Sequence, residues 1–461
     1  MQKVNFENGN ITSNILQTAF PMLVAQVLSL LYNIVDRIYI GRIPGTGTEA
    51  LGAVGFCFPV IIIVTAFTNM FGMGGAPLFS MELGKKEPEK AAAILNTSLR
   101  LLILSAVIIT VSGIAFARPL LVTFGAGSEE LFYARPYLQI YLVGTIFSMI
   151  STGINPYINA EGYSVFGMIT VMIGALANLA LDPVFIFAFG LGVQGAAIAT
   201  VISQILSASF VIWFLRSSRN EFRIHWKKSA DGRWFPYGGK IVSLGLTPFI
   251  MQVTNSLVSL CCNSMLMRWG GTMYVSAMTT VSSVRQILDT PVMAITEGTS
   301  PAISYNYGAR RPKRIKKAVR VMMSLALPYT ILIWALIMLN PGMFVRIFTQ
   351  DEELITVAAP ALHLYFLAFI FQALQYSGQT VFKSLNKKRH AIFFSLFRKV
   401  ILVIPLTILL PGLGFGTDGV FMAEPVSNLI GGLSCFITMI LTVWPELKRM
   451  EEQENLKNQK E

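Results

Sequence analysis

Charged residues are scarce in this 461-residue sequence: Asp, Glu, Lys and Arg together make up 13% of it, whereas hydrophobic residues make up 54%. So few charges cannot cover the surface of a soluble globule of this length, which excludes that class of protein. Apolar runs of about 20 residues, the length that a helix needs to cross a bilayer, recur along the whole chain. The sequence therefore predicts an all-α integral membrane protein with many spans.

Cysteine and histidine are also rare, with four and three residues. Cys57, Cys261, Cys262 and Cys435 lie within apolar runs at spacings that match no metal-ligand motif. We expect them to pack in the core, and we expect no bound cofactor. The first 14 residues contain no short apolar region that ends in a cleavage site, so we expect no removable signal peptide.

Clustered aspartates with DxxD spacing, which a membrane-embedded transferase would use to hold a metal diphosphate, are missing as well. We therefore predict that the protein is not an enzyme.

The charges that are present follow a pattern. The formal net charge is +12, and most of the 36 lysines and arginines fall in the tails and in alternate loops between twelve apolar segments. By the positive-inside rule, this pattern predicts twelve transmembrane helices in the cell membrane with both termini in the cytoplasm. Basic loops of this kind contact anionic lipid headgroups, so we expect no nucleic-acid partner.

The two halves of the chain resemble each other at a lag of 224 residues. Six spans in each half cross the membrane in the same sense, so the sequence predicts two six-helix lobes related by pseudo-two-fold symmetry along the membrane normal. The repeated positions include Pro77/Pro301, Gly84/Gly308, Pro88/Pro312, Pro136/Pro360, Tyr141/Tyr365 and Gly195/Gly419. The predicted lobes are residues 1–215 and 241–445, joined by a basic cytoplasmic linker at 216–240 and followed by a polar cytoplasmic tail at 446–461.

Asn178 and Asp182 lie four residues apart in the otherwise apolar run 171–189. In a helix they share one face. A carboxylate costs roughly 2.5–3.5 kcal/mol at the centre of a membrane helix, so we expect it to face a cavity or a partner. Pro183 has no N–H, which leaves the carbonyl of Leu179 without its helical donor and free to help line a cation site.

Two other spans of the first half also carry polar pairs. Asn33 and Asp36 lie three apart in the first span, and Thr200 and Gln204 lie four apart in the sixth. Carboxylate, amide and hydroxyl oxygens are the hard ligands that an alkali cation takes. The expected cation-coupling site, which would bind Na⁺ itself if sodium is the coupling ion, comprises Asp36, Asn178, Asp182 and Thr200.

Two carboxylates that face one cavity can also share a proton, because like charges cannot both ionise cheaply where the dielectric constant is low. Either H⁺ or Na⁺ would neutralise Asp36 and Asp182, and the sequence leaves both open.

The second half distributes its ionisable residues differently. Asp289 lies four residues after Arg285, so it either forms a salt bridge or contacts substrate. Glu297, two turns further, is expected to face the cavity and meet a cationic substrate. At the 224-residue lag, Glu424 aligns with Thr200. The residues expected to contact substrate are Asn33, Asn155, Gln204, Asp289 and Glu297.

These residues resemble the multidrug and toxic compound extrusion (MATE) family, near its bacterial DinF-like and MepA-like members, over nearly the whole chain. The motifs that carry the resemblance are Tyr-Asn-Ile-Val-Asp at 32–36, Asn-Ala-Glu-Gly-Tyr at 159–163, Leu-Asp-Pro at 181–183 and Gly-Ala-Ala-Ile-Ala-Thr at 195–200. The resemblance implies alternating access between two lobes that form a V, and export of cationic aromatic compounds against entry of protons or sodium ions. It also implies that the four residues of the expected cation-coupling site bind the cation and that Asn155 faces substrate.

The chain departs from the NorM-type members, which carry acids in the seventh and tenth helices. Its seventh span offers only Gln252 and Asn255, and its tenth offers Gln372, Gln375 and Gln379. This difference favours coupling through the amino-terminal lobe alone.

The leading hypothesis is thus a monomeric, ion-coupled multidrug exporter whose 21 methionines and 32 phenylalanines supply a cavity for cationic drugs or toxins. The alternative is a flippase for a lipid-linked oligosaccharide on a similar scaffold. A flippase would need several arginines in its cavity to hold pyrophosphate, and Arg37, Arg285 and Arg398 are the candidates.

Overall fold

The computed structural model describes residues 3–217, 222 and 233–458, and within these ranges it contains helices and turns but no β-strand. The α-helices are α1 (Ile11–Gly41), α2 (Gly47–Gly84), α3 (Pro88–Ala115), α4 (Ala117–Thr123), α5 (Ser128–Glu161), α6 (Ser164–Pro183), α7 (Gly192–Arg216), α8 (Gly238–Gly308), α9 (Pro312–Leu339), α10 (Pro341–Arg346), α11 (Glu352–Tyr365), α12 (Ile370–Ser384), α13 (Lys388–Leu396), α14 (Ile404–Leu410) and α15 (Gly416–Asn458). Short π-helical segments occupy Val184–Ala188, Phe397–Val403 and Pro411–Phe415.

Nine helical stretches of the described chain are long and apolar enough to cross a membrane, and α11 with α12, bent by 53°, makes a tenth. Two of the nine are double. Helix α8 is 71 residues long, about 107 Å at 1.5 Å per residue, which is enough for two crossings, and its backbone leaves helical geometry at Gly271, where φ is 75°. The stretch Lys388–Leu456 is likewise interrupted between Leu410 and Gly416, where Gly414 has φ of 100°. The described residues therefore form twelve spans, as the sequence predicted.

The 224-residue repeat reappears in the backbone. Helices α3 and α9 are both 28 residues long, and each begins at a repeated proline that serves as the first helical residue, where its missing N–H costs nothing. Left-handed backbone also recurs at the same lag. The matching positive-φ pairs are Lys86/Arg310, Gly162/Asn386, Gly190/Gly414 and Gly192/Gly416. The two halves thus share their turns as well as their helices.

Two compact units divide the chain. The first comprises the chain up to Val4 together with Val24–Phe249, and the second comprises Asn5–Leu23 together with everything from Ile250 onward. Within the first unit, α5 packs against α2, α3, α6 and α7, and within the second, α12 and α15 pack together. Each unit encloses its own apolar core.

The lobe bounds 1–215 and 241–445 and the tail at 446–461 stay predictions. The basic linker predicted at 216–240 lies largely outside the described residues, including Arg219, Arg223, Lys227 and Lys228.

Candidate functional site

Four polar side chains meet inside the first unit, and we call them the first-unit cluster: Asp36 on α1, Asn178 and Asp182 on α6, and Thr200 on α7. Asp182 is completely buried and Asn178 is 3% exposed. Asn178 Nδ2 donates to Asp182 Oδ1 at 3.1 Å and to Thr200 Oγ1 at 3.3 Å. The four-residue spacing read from the sequence therefore places the amide beside the carboxylate, and it also brings the amide to the neighbouring helix.

The carboxyl groups of Asp36 and Asp182 lie close enough to interact electrostatically. Among the described residues, three buried oxygens of the cluster have no hydrogen-bond donor: Oδ1 of Asp36, Oδ1 of Asn178 and Oδ2 of Asp182. A buried acceptor without a donor is costly, so three on adjacent side chains form a site that attracts a proton or a cation. The donor set contains only oxygen, which suits a hard cation.

Arg37 directly follows Asp36 in sequence, yet its guanidinium packs over the ring of Phe58, 4.8 Å from the ring centroid. No salt bridge to Asp36 or Asp182 occurs in the part of the chain that the structure describes. The first-unit cluster therefore holds two carboxyl groups without a salt bridge among the described residues.

Tyrosines surround this cluster. Tyr32 and Tyr137 lie close enough to both aspartates to interact with them electrostatically. Tyr137 stacks on Tyr141, with ring centroids 6.5 Å apart. We did not predict Tyr137 from the sequence, although the repeat of Tyr141 at position 365 was a signal that this helix face matters.

The polar residues predicted to contact substrate in the first half lie in different surroundings. Asn33 is exposed on α1 and donates to the carbonyl of Ser29 at 2.6 Å. Asn155 donates to the carbonyl of Gly167 at 2.8 Å and accepts from Asn159, so its side chain ties α5 to α6. Gln204 has a buried Oε1 without a donor among the described residues. These three side chains make no recorded hydrogen bond to the first-unit cluster.

The two acids predicted to contact substrate in the second half both have basic partners. Asp289 Oδ2 lies 3.1 Å from Nε of Arg285, which is the salt bridge that the sequence allowed, and it also accepts from Gln372 at 3.2 Å. Glu297 Oε1 lies 2.5 Å from Nζ of Lys383 on α12. Each carboxylate thus has a basic partner within its unit, and contact of either one with substrate stays a prediction.

Asp289 belongs to a larger group of ionisable side chains, which we call the second-unit network: Arg285, Asp289, Arg398, Lys399 and Glu424. Glu424 Oε1 lies 2.7 Å from Arg285, 3.4 Å from Arg398 and 3.3 Å from Lys399. Asn428 and Gln372 complete the shell, because Arg398 donates to both at 2.6 and 3.1 Å. The sequence indicated only the Arg285–Asp289 pair of this network, since the pair, Arg398 with Lys399, and Glu424 come from three separate stretches of the chain.

Comparisons of the chain with known proteins by sequence and by structure agree with one another. The family model described as MatE matches residues 21–184 and 248–409, the two halves of the repeat. The chain is similar to "Multidrug export protein MepA" of Staphylococcus haemolyticus, with 24% identity over 429 residues that cover 92% of both chains. It is equally similar to MepA of Staphylococcus aureus strain MSSA476, with 24% identity over 437 residues and 95% of both chains.

Solved structures agree with the fold. One described as the outward-facing conformation of a multidrug resistance MATE family transporter of the MOP superfamily has a TM-score of 0.89, 21% identity and coverage of 98% of this chain and 99% of that one. A MOP superfamily transporter from Pyrococcus furiosus, described as having a binding pocket of reverse polarity, gives the same values. At this level of identity, the likeness establishes the twelve-helix, two-lobe fold.

Proposed function

Because the chain belongs to the MatE family of membrane transporters, we propose that it is a secondary active multidrug exporter that exchanges cationic aromatic or amphipathic compounds for H⁺ or Na⁺ by alternating access. Its similarity to multidrug export proteins supports the drug class. We further propose that it works as a monomer in the cell membrane, with both termini in the cytoplasm. The polar and ionic chemistry inside its helices would then serve transport rather than catalysis.

One observation carries the ion-coupling part of the proposal: three buried oxygens of the first-unit cluster have no donor among the described residues. A proton between Asp36 and Asp182 would satisfy two of these oxygens. A sodium ion could use all three, together with the hydroxyl of Thr200, which donates to the carbonyl of Ala196, accepts from Asn178 and keeps one lone pair for a ligand. In both cases the entering ion neutralises the carboxylates.

Neutralisation of the carboxylates gives a physical basis for exchange. While Asp36 and Asp182 carry negative charge, a cationic drug in the transport path is favoured electrostatically. Once a proton or sodium ion occupies the first-unit cluster, that attraction is lost and the drug leaves. Coupling of this kind requires only that the two ligands compete for the same charge, so no direct contact between drug and aspartate is needed.

Everted membrane vesicles test the proposal. A proton gradient or a sodium gradient is imposed separately, and ethidium export and gradient dissipation are followed together. Asp36→Asn and Asp182→Asn should each abolish substrate-dependent dissipation, because an amide holds neither a proton nor a full negative charge. The matched control is Asp418→Asn, which changes an exposed aspartate of α15 in the same way. Export at the parental rate by both cluster variants would show that coupling does not use this site.

The alternative function, flipping of a lipid-linked oligosaccharide, is favoured by one observation: Arg285 and Arg398, two of its three candidate arginines, contact the same carboxylate, that of Glu424. Because Glu424 and Asp289 already balance most of this positive charge, we rank it second. Reconstituted protein that moves a pyrophosphate-linked lipid across vesicles but leaves ethidium gradients unchanged would reverse this order.

A further inference from the structure

The second-unit network has more positive than negative charge. Three basic side chains, Arg285, Arg398 and Lys399, face two carboxylates, Asp289 and Glu424. No other carboxylate of the described chain forms a salt bridge with any of the three. If all five groups were ionised, one positive charge would remain unbalanced.

This excess charge lies deep within the unit. Glu424 is 2% exposed, Arg398 5% and Lys399 7%. Lys399 and Arg398 lie in the π-helical segment Phe397–Val403, inside a transmembrane stretch. An unbalanced charge is costly at such a place, so either an anion must enter the network or one of its cations must lose a proton.

Lysine is the one member that can lose a proton. A guanidinium stays charged in proteins, whereas a buried lysine readily becomes a neutral amine. The distances are consistent with this choice. Glu424 makes its short contact, 2.7 Å, with Arg285, whereas Nζ of Lys399 lies 3.3 and 3.4 Å from the two carboxylate oxygens and Nη1 of Arg398 lies 3.4 Å from Oε1. Charged N–H···O contacts are usually about 2.7–2.9 Å, so Glu424 holds both Lys399 and Arg398 loosely. Arg398 has a further short contact with Asn428 at 2.6 Å, and of the two cations only the lysine can become neutral.

We propose that Lys399 is a proton-exchange site of the second unit, separate from the first-unit cluster. Its ammonium releases one proton to water and becomes a neutral amine, and the net charge of the network falls from one positive charge to zero. Glu424 stays ionised throughout, because Arg285 and Arg398 continue to donate to it. The inference goes beyond the proposed function, since it depends neither on the drug nor on the ion that the first unit binds.

The surroundings of Lys399 on each packed element are consistent with this role. Helix α15 supplies Glu424, helix α8 supplies Arg285 and the thiol of Cys262, and the π-helical segment itself supplies Arg398. Two fixed cations and one carboxylate thus act on the amine. The carboxylate accepts a hydrogen bond from either form of the lysine, so the contact survives proton release.

Nuclear magnetic resonance tests the proposal directly. The full-length protein is produced with lysine that carries ¹³C at Cε, where the chemical shift reports whether the amine is charged. The signal that disappears in Lys399→Arg belongs to Lys399, and Lys399→Gln gives the same assignment if the arginine variant does not fold. We expect this signal to move from the charged to the neutral shift as the pH is raised.

Lys383 is the matched control, because it is also buried in the second unit but is paired one to one with Glu297. Its signal, assigned with Lys383→Arg, should keep the charged shift over the same pH range. A Lys399 signal that also stays charged would overturn the proposal.

If chloride then raised the unfolding temperature relative to gluconate in the parental protein but not in Lys399→Met, an anion would be what balances the network. Because the measurement uses no drug and no gradient, failure of the export proposal would leave its result intact.

Discussion

The two units bury ionisable groups in opposite ways. In the first-unit cluster, Asp36 and Asp182 form no salt bridge within the described chain, and oxygens of both lack donors. In the second-unit network, every carboxylate contacts at least one basic side chain. Under the proposed function an entering ion neutralises the first arrangement, whereas the second contains basic side chains of its own, one more than its carboxylates. A repeated scaffold therefore does not imply a repeated chemistry.

Matching positions of the two halves, 224 residues apart, show this difference residue by residue. The positions that match Asp36, Asn178 and Asp182 in the second half are all leucines: Leu260, Leu402 and Leu406. In the other direction, Arg285, Arg398 and Lys399 match Ile61, Gly174 and Ala175. Some positions are polar in both halves: Thr200 matches Glu424, Thr65 matches Asp289 and Gln204 matches Asn428. The two aspartates of the first-unit cluster and the three cations of the second-unit network thus align with apolar or small residues, whereas the two carboxylates of the network align with threonines.

The largest effect that we predict comes from a substitution that breaks the second-unit network. Glu424→Gln removes the carboxylate that contacts Arg285, Arg398 and Lys399, so three cations remain with Asp289 alone. Uncompensated buried charge of this kind costs about 3–5 kcal/mol, and we expect a clear fall in folded yield and in the unfolding temperature of the purified protein. Size-exclusion chromatography and thermal unfolding in detergent measure both quantities.

Asp182→Asn provides the contrast on which the comparison depends. It also removes a buried carboxylate, but one without a cationic partner, so we expect a change of at most about 1 kcal/mol, which is the contribution of one hydrogen bond. Equal destabilisation by the two substitutions would show that the two units do not differ as described.

We predict a destabilisation of intermediate size for the ion pair between Lys383 and Glu297. It is balanced one to one and its side chains are 9% and 19% exposed. Glu297→Gln or Lys383→Met alone should cost about 1–3 kcal/mol, because each leaves one charge buried without its partner. The double variant should recover part of that loss. A double-mutant cycle based on thermal unfolding gives the coupling energy, and additive losses would mean that the pair does not interact in the native state.

Much of the fold was predictable from the sequence, and the reasons are local. Span number follows from the length of apolar runs, and the repeat follows from prolines and glycines such as Pro88 and Pro312, which begin matching helices. The pair Asn178 and Asp182 was predictable because four-residue spacing places two side chains on one face. The structure adds the turns at Gly271 and Gly414, and the π-helical segment that directly follows Pro183.

Partners from distant spans were harder to predict. Periodicity shows which face a side chain occupies but not which helix lies opposite that face, so Asp36 and Asp182 were paired on chemistry alone. Lys399, Arg285 and Glu424 come from three separate stretches, and nothing local links them. The expectation that Glu297 would meet a cationic substrate did not consider Lys383, because a lysine near the end of a span is usually assigned to the membrane surface. Contact of Glu297 with substrate stays a prediction, and the basic partner that the sequence did not reveal depends on a tertiary contact.

The smallest effect that we predict concerns an ion pair outside both buried groups. Arg346 and Glu352 form a two-pronged contact at 2.8 and 3.0 Å, but their side chains are 58% and 67% exposed. Water and salt screen such a pair, so Arg346→Gln should cost only about 0.2–1 kcal/mol, and added salt should reduce this further. Its geometry is as good as that of Arg285 with Glu424, so comparison of the two substitutions isolates the contribution of burial. If Arg346→Gln destabilised the protein as much as Glu424→Gln, the cost would come from contact geometry and not from burial. The difference between the first-unit cluster and the second-unit network would then have no energetic basis.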